Sequence, residues 1–476
     1  MPLVDLNALN SAVGDINLYN GLDALATSEI LTNLIELEPQ SGPIYRFERA
    51  LQAPAMEMML RGFKIDRNAH ERQILRLEAE LKRLDDIIQQ IARAIWGKPL
   101  NPNSRDQLMD FFYNHIGIEP IITSVKGQAK RQMNHDVLER IGNYFNARLI
   151  VNAILAYRDR AKSLSVLTSD IDSDWRIRTS YNIAKTTTGR FSSSKSLLGT
   201  GLNQQNITES LRHIFIADEG KVLCGIDLEQ AESREVGWLC WILFGDDKYL
   251  NACEAGDLHT TVSRMIWPEL GWTSDTKQDR KIAERPYYRH MSYRDLSKRA
   301  GHGSNYRLAP RSMATHLKIP VKMAVDFQDR YFSAFKGIHK YHHWIAAELQ
   351  RKQRLTTVFG RTRDFFGRPK DDDVIRSAIA FMPQSATADR LNLAMLRIWR
   401  YMPEVQLLSQ LHDAVYFQFD ENLDHNLIIN KALNLINIPL TYNNRTFTVP
   451  GEAKIGRNWG NYHPEKNPNG LRKVKL

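Results

Sequence analysis

The chain has 476 residues, 43% of them hydrophobic and 9% aromatic, with a formal net charge of +10; this is globular composition, too long for one ordinary core, so two to four subdomains are expected. Three cysteines (Cys224, Cys240, Cys253) without C-x-x-C spacing argue against a disulfide framework or a zinc site and fit a reducing cytosol. The N-terminal MPLVDLNALN has no basic segment followed by an apolar one, and no run approaches the roughly 18 apolar residues of a membrane span, which argues against secretion or membrane embedding.

In chain order, residues 1–40 form a short preamble. Glu48–Asp66 reads as an amphipathic helix ending at Gly62, then a short extended segment. Ile74, Leu77, Leu81, Leu84, Ile88, Ile91 and Ile95 alternate spacings of three and four, which predicts a helix of about 30 residues capped near Asp66. Pro99 and Pro102 close it, and Ser104-Arg105-Asp106-Gln107 reads as a capping box opening the next helix. Another long helix is predicted over His135–Leu167. Two long helices with a loop-rich tip predict an antiparallel projecting arm; an ordinary helical hairpin would show the same pattern. From about Ile171 to Leu243 the pattern turns strand-like, with Val222–Leu228 the clearest strand, and residues 250–350 read as mostly helical. Thr356–Phe366, Leu407–Phe419 and Thr446–Gly456 read as strands around further helices. Strands drawn from distant sequence predict an α+β fold, an antiparallel-rich sheet with a helical insertion between its parts.

Charge is concentrated. Residues 281–312 hold eight Lys/Arg against two acids, residues 175–200 five against none, and residues 351–370 seven against one, so the remainder is net −7. Such runs on a mildly acidic body suit a polyanion-binding surface, although three solvated loops would read alike.

Two acidic motifs stand out, DLEQAESR (Asp227–Arg234) and QLHDAVYF (Gln410–Phe417). Asp227 follows the apolar run Val222–Ile226, and Asp413 is flanked by apolar residues with only His412 as a basic neighbour. A buried, unpaired carboxylate is costly and calls for a metal or cation. A lone strand aspartate is more often a hydrogen-bonded cap; two brought together suit a pair of magnesium ions for in-line nucleotidyl transfer. Between the motifs, Arg294, Lys298, His302 and Tyr306 recur every four residues. On a helix they drift about 40° per step along one face about 18 Å long, presenting cations to a triphosphate at one end and an aromatic ring at the other. Gly301 and Gly303 each weaken that helix by roughly 1 kcal/mol, so it is expected to end or kink before Tyr306. TTTGRFSSS (Thr186–Ser194) offers hydroxyls, amides and one guanidinium suited to sequence-blind DNA contacts.

The order TTTGRFSSS, NQQNI, DLEQAESR, RDLSKRAGHGSNYR and QLHDAV resembles family A DNA polymerases, the bacterial DNA polymerase I type, over roughly Glu48 to Trp459. The resemblance implies a right-hand fold: thumb at 41–170, palm at 171–249 and 351–476, fingers at 250–350, and in 1–40 the edge of a 3′–5′ exonuclease-like domain. It implies template-directed addition of dNTPs to a primer 3′-OH, with primer–template DNA as partner and two Mg²⁺ ions, or Mn²⁺ as a substitute, held by Asp227 and Asp413. Lys298 and Arg294 are implied at the phosphates, Tyr306 and His302 at the nascent pair, and Glu232 against the sugar 2′-OH. Arg190, Asn203, Gln205, Asn206, Arg212, Arg361, Gln384 and His412 are implied at the template and primer strands.

The chain departs from the family at His302 (usually Phe or Tyr), Arg307 (Gly), Gln204 (Leu), Thr208 (Pro), Glu229 (a small polar residue) and Ala414 (Glu). The last is expected to alter metal affinity or rate, not to abolish chemistry. LYNGLDALAT (Leu18–Thr27) matches the final exonuclease motif through Tyr19 and Asp23, but the upstream acidic pair is absent, so this chain is not expected to proofread; the exonuclease portion is either truncated away or carried by a separate chain, a candidate partner. Compact size and the departures fit a phage or other mobile-element replicase, acting in the nucleoid or infected cytoplasm. The rival readings are a single-subunit RNA polymerase, against which Glu232 and TTTGRFSSS argue, and a non-catalytic DNA-binding accessory subunit, against which both aspartates, Lys298 and Arg294 argue.

Overall fold

A computed structural model of the chain describes residues 14–37, 42–125, 128–196, 199–289 and 291–474. The N-terminal MPLVDLNALN lies outside the described residues. The centre is a five-stranded antiparallel sheet in the order Val405–Leu411, Ala414–Asp420, Lys221–Leu228, Gly451–Gly456, Arg472–Lys473. The middle strand, KVLCGIDL, is buried from Val222 through Ile226, and Asp227 is its exposed exception. Apolar layers on both faces explain why it reads as a continuous apolar run. On one face Cys224, Ile226, Val415 and Phe417 meet Leu391, Met395 and Ile398 of the helix Asp372–Tyr401. On the other, Leu223, Leu408 and Leu411 meet Trp459, whose ring stacks on Phe63 at 5.4 Å. All three cysteines are free and buried.

The arm forms as its apolar seam predicts. The helix Arg67–Trp96 opens with Asp66 accepting from Ala69 N at 2.9 Å and closes at Gly97, φ +73°. Leu77 and Ile88 are buried, and Ile95, at the end of the seam, is exposed. It lies antiparallel to the helix Arg148–Leu167: His70 Nε2 bonds Leu167 O at 2.8 Å, and Arg160 reaches Glu80 at 3.3 Å. The single helix predicted over His135–Leu167 is two, His135–Ile141 and Arg148–Leu167. The break, GNYFNA, carries Gly142 and two asparagines, which favour turns. The capping box at Ser104 is half formed. Ser104 Oγ accepts from Gln107 N at 3.4 Å, but the Gln107 side chain accepts from Asn101 N at 2.7 Å.

The described residues of 250–350 are mostly helical, with a small hairpin, Pro286–Tyr288 paired with Met291–Ser292. Val236, Leu296, Phe327, Tyr331, Tyr341 and Phe381 share the core of this lobe. The strand-like reading up to Leu243 fails over Ala231–Phe244, which is a helix. Its run VGWLCWILF is apolar throughout, and periodicity cannot separate a buried helix from a buried strand. Thr356–Phe366 forms a tight hairpin, Arg354–Thr356 with Thr362–Asp364. Among the described residues no helix is long and apolar enough to cross a membrane.

Candidate active site

Asp227 and Asp413 come together because their strands are neighbours. Ala414 stands opposite Asp227, and Leu228 N donates to Asp413 O at 2.9 Å. Asp413 and His412 form the tight turn between paired Leu411 and Ala414, with His412 at φ +53°. Both carboxylates line one cavity of about 540 Å³, together with Arg190, Glu232, His259, Lys298, His302 and Gln384. Asp227 keeps solvent on one side, but the cavity walls strip water from its carboxylate and push it up to about 6; Asp413's charge adds to this and Lys454 opposes it. Asp413 is also raised, first by burial, with Arg190 opposing. Arg190 Nη2 stands 3.3 Å from Asp413 Oδ1, so Asp413 has a cation the sequence did not reveal. Among the described residues no side-chain hydrogen bond holds Asp227's charge in place. Two hard oxygen donors, only one of them paired with an arginine, fit a divalent cation.

Glu232 lies in the first turn of the helix Ala231–Phe244, beyond Gln230 at φ +53°. Its carboxylate accepts from Arg190 on one oxygen and from the Tyr306 hydroxyl on the other. Burial, then the charge of Glu232, drives the Tyr306 pKa well above the usual phenol value. The helix Tyr293–Asn305 opens on a reciprocal capping box, Ser292 with Asp295, and stops at Asn305. The predicted end before Tyr306 is observed, and Arg307 follows at φ +56°, a conformation that favours glycine. Lys298 and His302 point into the cavity, and the His302 and Tyr306 rings meet edge to face at 4.9 Å.

Arg294 differs from expectation. It does not line the cavity; its guanidinium makes two 3.1 Å hydrogen bonds to Asp257, the cap of the helix Leu258–Ile266. His259, the second residue of that helix, does line the cavity and was not foreseen. Burial and the Arg294 charge lower its pKa to about 4, so it is a neutral ring. A lone histidine in DLHT carries no sequence signal.

Arg361 requires a correction. Expected at the DNA, it is 8% exposed, forked onto Asp389 at 2.8 and 3.0 Å and bonded to Glu48 at 2.6 Å. Its guanidinium packs under Gly189, where a Cβ would stand 2.6 Å away. It therefore buttresses the loop carrying Arg190. Asn203 accepts from Gln205 N at 3.0 Å, Gln205 donates to Phe191 O at 2.9 Å, and Asn206 is exposed. Gln204, in place of the family leucine, is buried and donates to Ile177 O at 3.1 Å. Arg212 lies over the Trp459 ring at 4.9 Å. His412 is exposed, as are Tyr19 and Asp23 on the helix Gly14–Leu37.

An antiparallel sheet bearing paired aspartates beneath a helical lobe, with a helical arm beside it, is the right-hand α+β fold of nucleic-acid polymerases. A profile of DNA polymerase family A matches residues 68–461, and the chain belongs to that family. It is 27% identical over 384 residues to the thermostable DNA polymerase I of Thermus thermophilus, covering 78% of this chain and 43% of that protein. It is 27% identical over 478 residues to DNA polymerase I of Chloroflexus aurantiacus, covering 94% of this chain and 46% of that protein. The chain thus spans less than half the length of these curated relatives. The fold matches the POL domain of Pol1 from M. smegmatis, solved in complex with DNA primer–template and dNTP, with a TM-score of 0.73 and 21% identity, covering 91% of this chain and 74% of that one.

Proposed function

We propose that this chain is a template-directed DNA polymerase that extends a primer 3′-OH with deoxynucleoside triphosphates. The observation that carries the reading is the single cavity joining Asp227, Asp413, Glu232 and Lys298, residues up to 186 positions apart. In this reading 41–170 is the thumb, 171–249 with 351–476 the palm, and 250–350 the fingers. The primer oxygen bonds to the α-phosphorus as the bond to pyrophosphate breaks. Asp227 and Asp413 would hold two Mg²⁺ ions, or Mn²⁺ in their stead, which when bound supply charge stabilisation for the attacking and leaving oxygens. Lys298 neutralises the triphosphate, and Arg294 joins it by exchanging Asp257 for phosphate. Glu232 fills the space a 2′-OH would need, and Tyr306 and His302 flank the nascent pair. Arg190, Gln384 and His412 meet the primer and template ends; Asn203, Gln205, Asn206 and Arg212 meet backbone, while Arg361 supports Arg190 from beneath. The chain works on DNA in the cytoplasm. The helix Gly14–Leu37, with Tyr19 and Asp23, is the edge of an exonuclease unit, with a separate exonuclease chain as its partner.

The test is extension of a labelled primer on a DNA template with Mg²⁺ and either dNTPs or rNTPs, beside Asp227→Ala and Asp413→Ala. Extension with dNTPs only, lost in both variants, is expected. Extension with rNTPs would transfer the reading to an RNA polymerase, and duplex binding without incorporation would make the chain an accessory subunit.

A further inference from the structure

The family match stops at Asn461, but the chain goes on and returns to the sheet. Arg472–Lys473 pairs along the outer edge of Gly451–Gly456, with Lys473 opposite Lys454 and Val474 N donating to Ala453 O at 3.0 Å. Close backbone contact fixes this return. A Cβ on Gly456 would stand 2.5 Å from Gly470 O, and Leu471 N donates to Gly460 O at 2.7 Å. Leu471 is buried beside Trp459 and Leu223.

On the strand that the tail covers, Glu452 stands directly opposite Asp227. Residues so paired share a face of the sheet, with Cβ atoms about 4.5–5.5 Å apart. On Asp227's other flank the paired residue is Ala414, whose side chain offers no polar atom. Glu452 Oε1 lies 3.5 Å from Lys454 Nζ, and Oε2 accepts from Lys473. An exposed lysine of this kind contributes little to stability. Its geometric effect is larger: with lysines on both oxygens, the carboxylate beside Asp227 is held in one orientation.

We infer that Glu452, held by Lys473 of the C-terminal tail, is a positioning residue for the divalent-cation site, the carboxylate neighbour of Asp227 that Ala414 does not supply. The inference rests on the two-metal reading of Asp227 and Asp413. It makes the tail, outside the family match, part of the site's support.

The test is Mn²⁺ binding to the whole chain without DNA or nucleotide, read from the spin-resonance signal of free Mn²⁺, beside Mg²⁺ titrations of primer extension. Glu452→Gln is expected to raise the Mn²⁺ dissociation constant about tenfold, the low end for groups that orient a metal ligand, and to shift the Mg²⁺ half-saturation the same way. Lys473→Ala should shift both in the same direction by a smaller factor, and Lys473→Arg should restore them. Unchanged Mn²⁺ binding in Glu452→Gln with wild-type thermal unfolding overturns the inference, as does extension reduced by the same factor at every Mg²⁺ level with unchanged half-saturation. If Glu452→Gln fails to fold, the exposed Lys473 variants decide alone. Mn²⁺ binding that follows this pattern in a chain that extends no primer keeps the inference and removes the polymerase reading.

Discussion

Asp227→Asn should stabilise the metal-free protein at neutral pH. Folding raises the Asp227 carboxyl from 3.8 to about 6, chiefly by burial and the neighbouring Asp413 charge. A shift of about two units corresponds to about 3 kcal/mol against the charged native state. Solvent reaches one side of Asp227, so about half of this, roughly 1–2 kcal/mol, is the realistic gain on removing the charge. Because the folded pKa is the higher one, the native state binds the proton more tightly. The penalty is absent below about pH 4, grows as pH rises to about 6, and is constant above. Urea unfolding in EDTA at pH 7.5 should therefore favour Asp227→Asn, and the advantage should vanish near pH 4. Mg²⁺ should then stabilise the wild type and leave the variant unmoved. A variant no more stable than wild type at pH 7.5 without metal would refute the account of Asp227 as a carboxylate strained by its surroundings.

Glu232→Ala frees Arg190 and Tyr306 together; if Glu232 fills the space a 2′-OH needs, ribonucleotide incorporation relative to deoxynucleotide should rise by about 10- to 100-fold in single-turnover assays. Arg390 and Glu235 are both 0% exposed and joined at 2.9 Å, bridging the helices that carry Gln384 and Glu232. Glu235→Leu alone should cost about 3–5 kcal/mol in denaturant unfolding by stranding a buried cation, whereas Glu235→Leu with Arg390→Met should recover most of that.

The sequence makes the periodic and motif-bearing parts legible. The seam from Ile74 to Ile91 locates the arm because burial repeats with the helix, and Gly301 with Gly303 marks where the helix before Tyr306 stops. What it does not carry is partnership across distance. Arg361 reads as one of seven cations in a basic run, and only the fold supplies Asp389 and Glu48 to bury it. Arg294 lies on the predicted helical face, yet Asp257, 37 residues away, decides where its guanidinium points. Ala231–Phe244 is mistaken for a strand because an element apolar on every side has no period to read.

The order of the sheet sets a schedule for synthesis. Ala414, opposite Asp227 in the register, follows it by 187 residues. A ribosome adding about 5–20 residues per second needs roughly ten to forty seconds to deliver that partner. Through that interval Val222–Ile226 is an apolar strand with two open edges, while the helical lobe encoded next can already collapse on its own core. Nascent chains of this architecture therefore expose an aggregation-prone segment late into translation, and a chaperone that shields extended apolar strands would act on this stretch before any other part of the sheet exists.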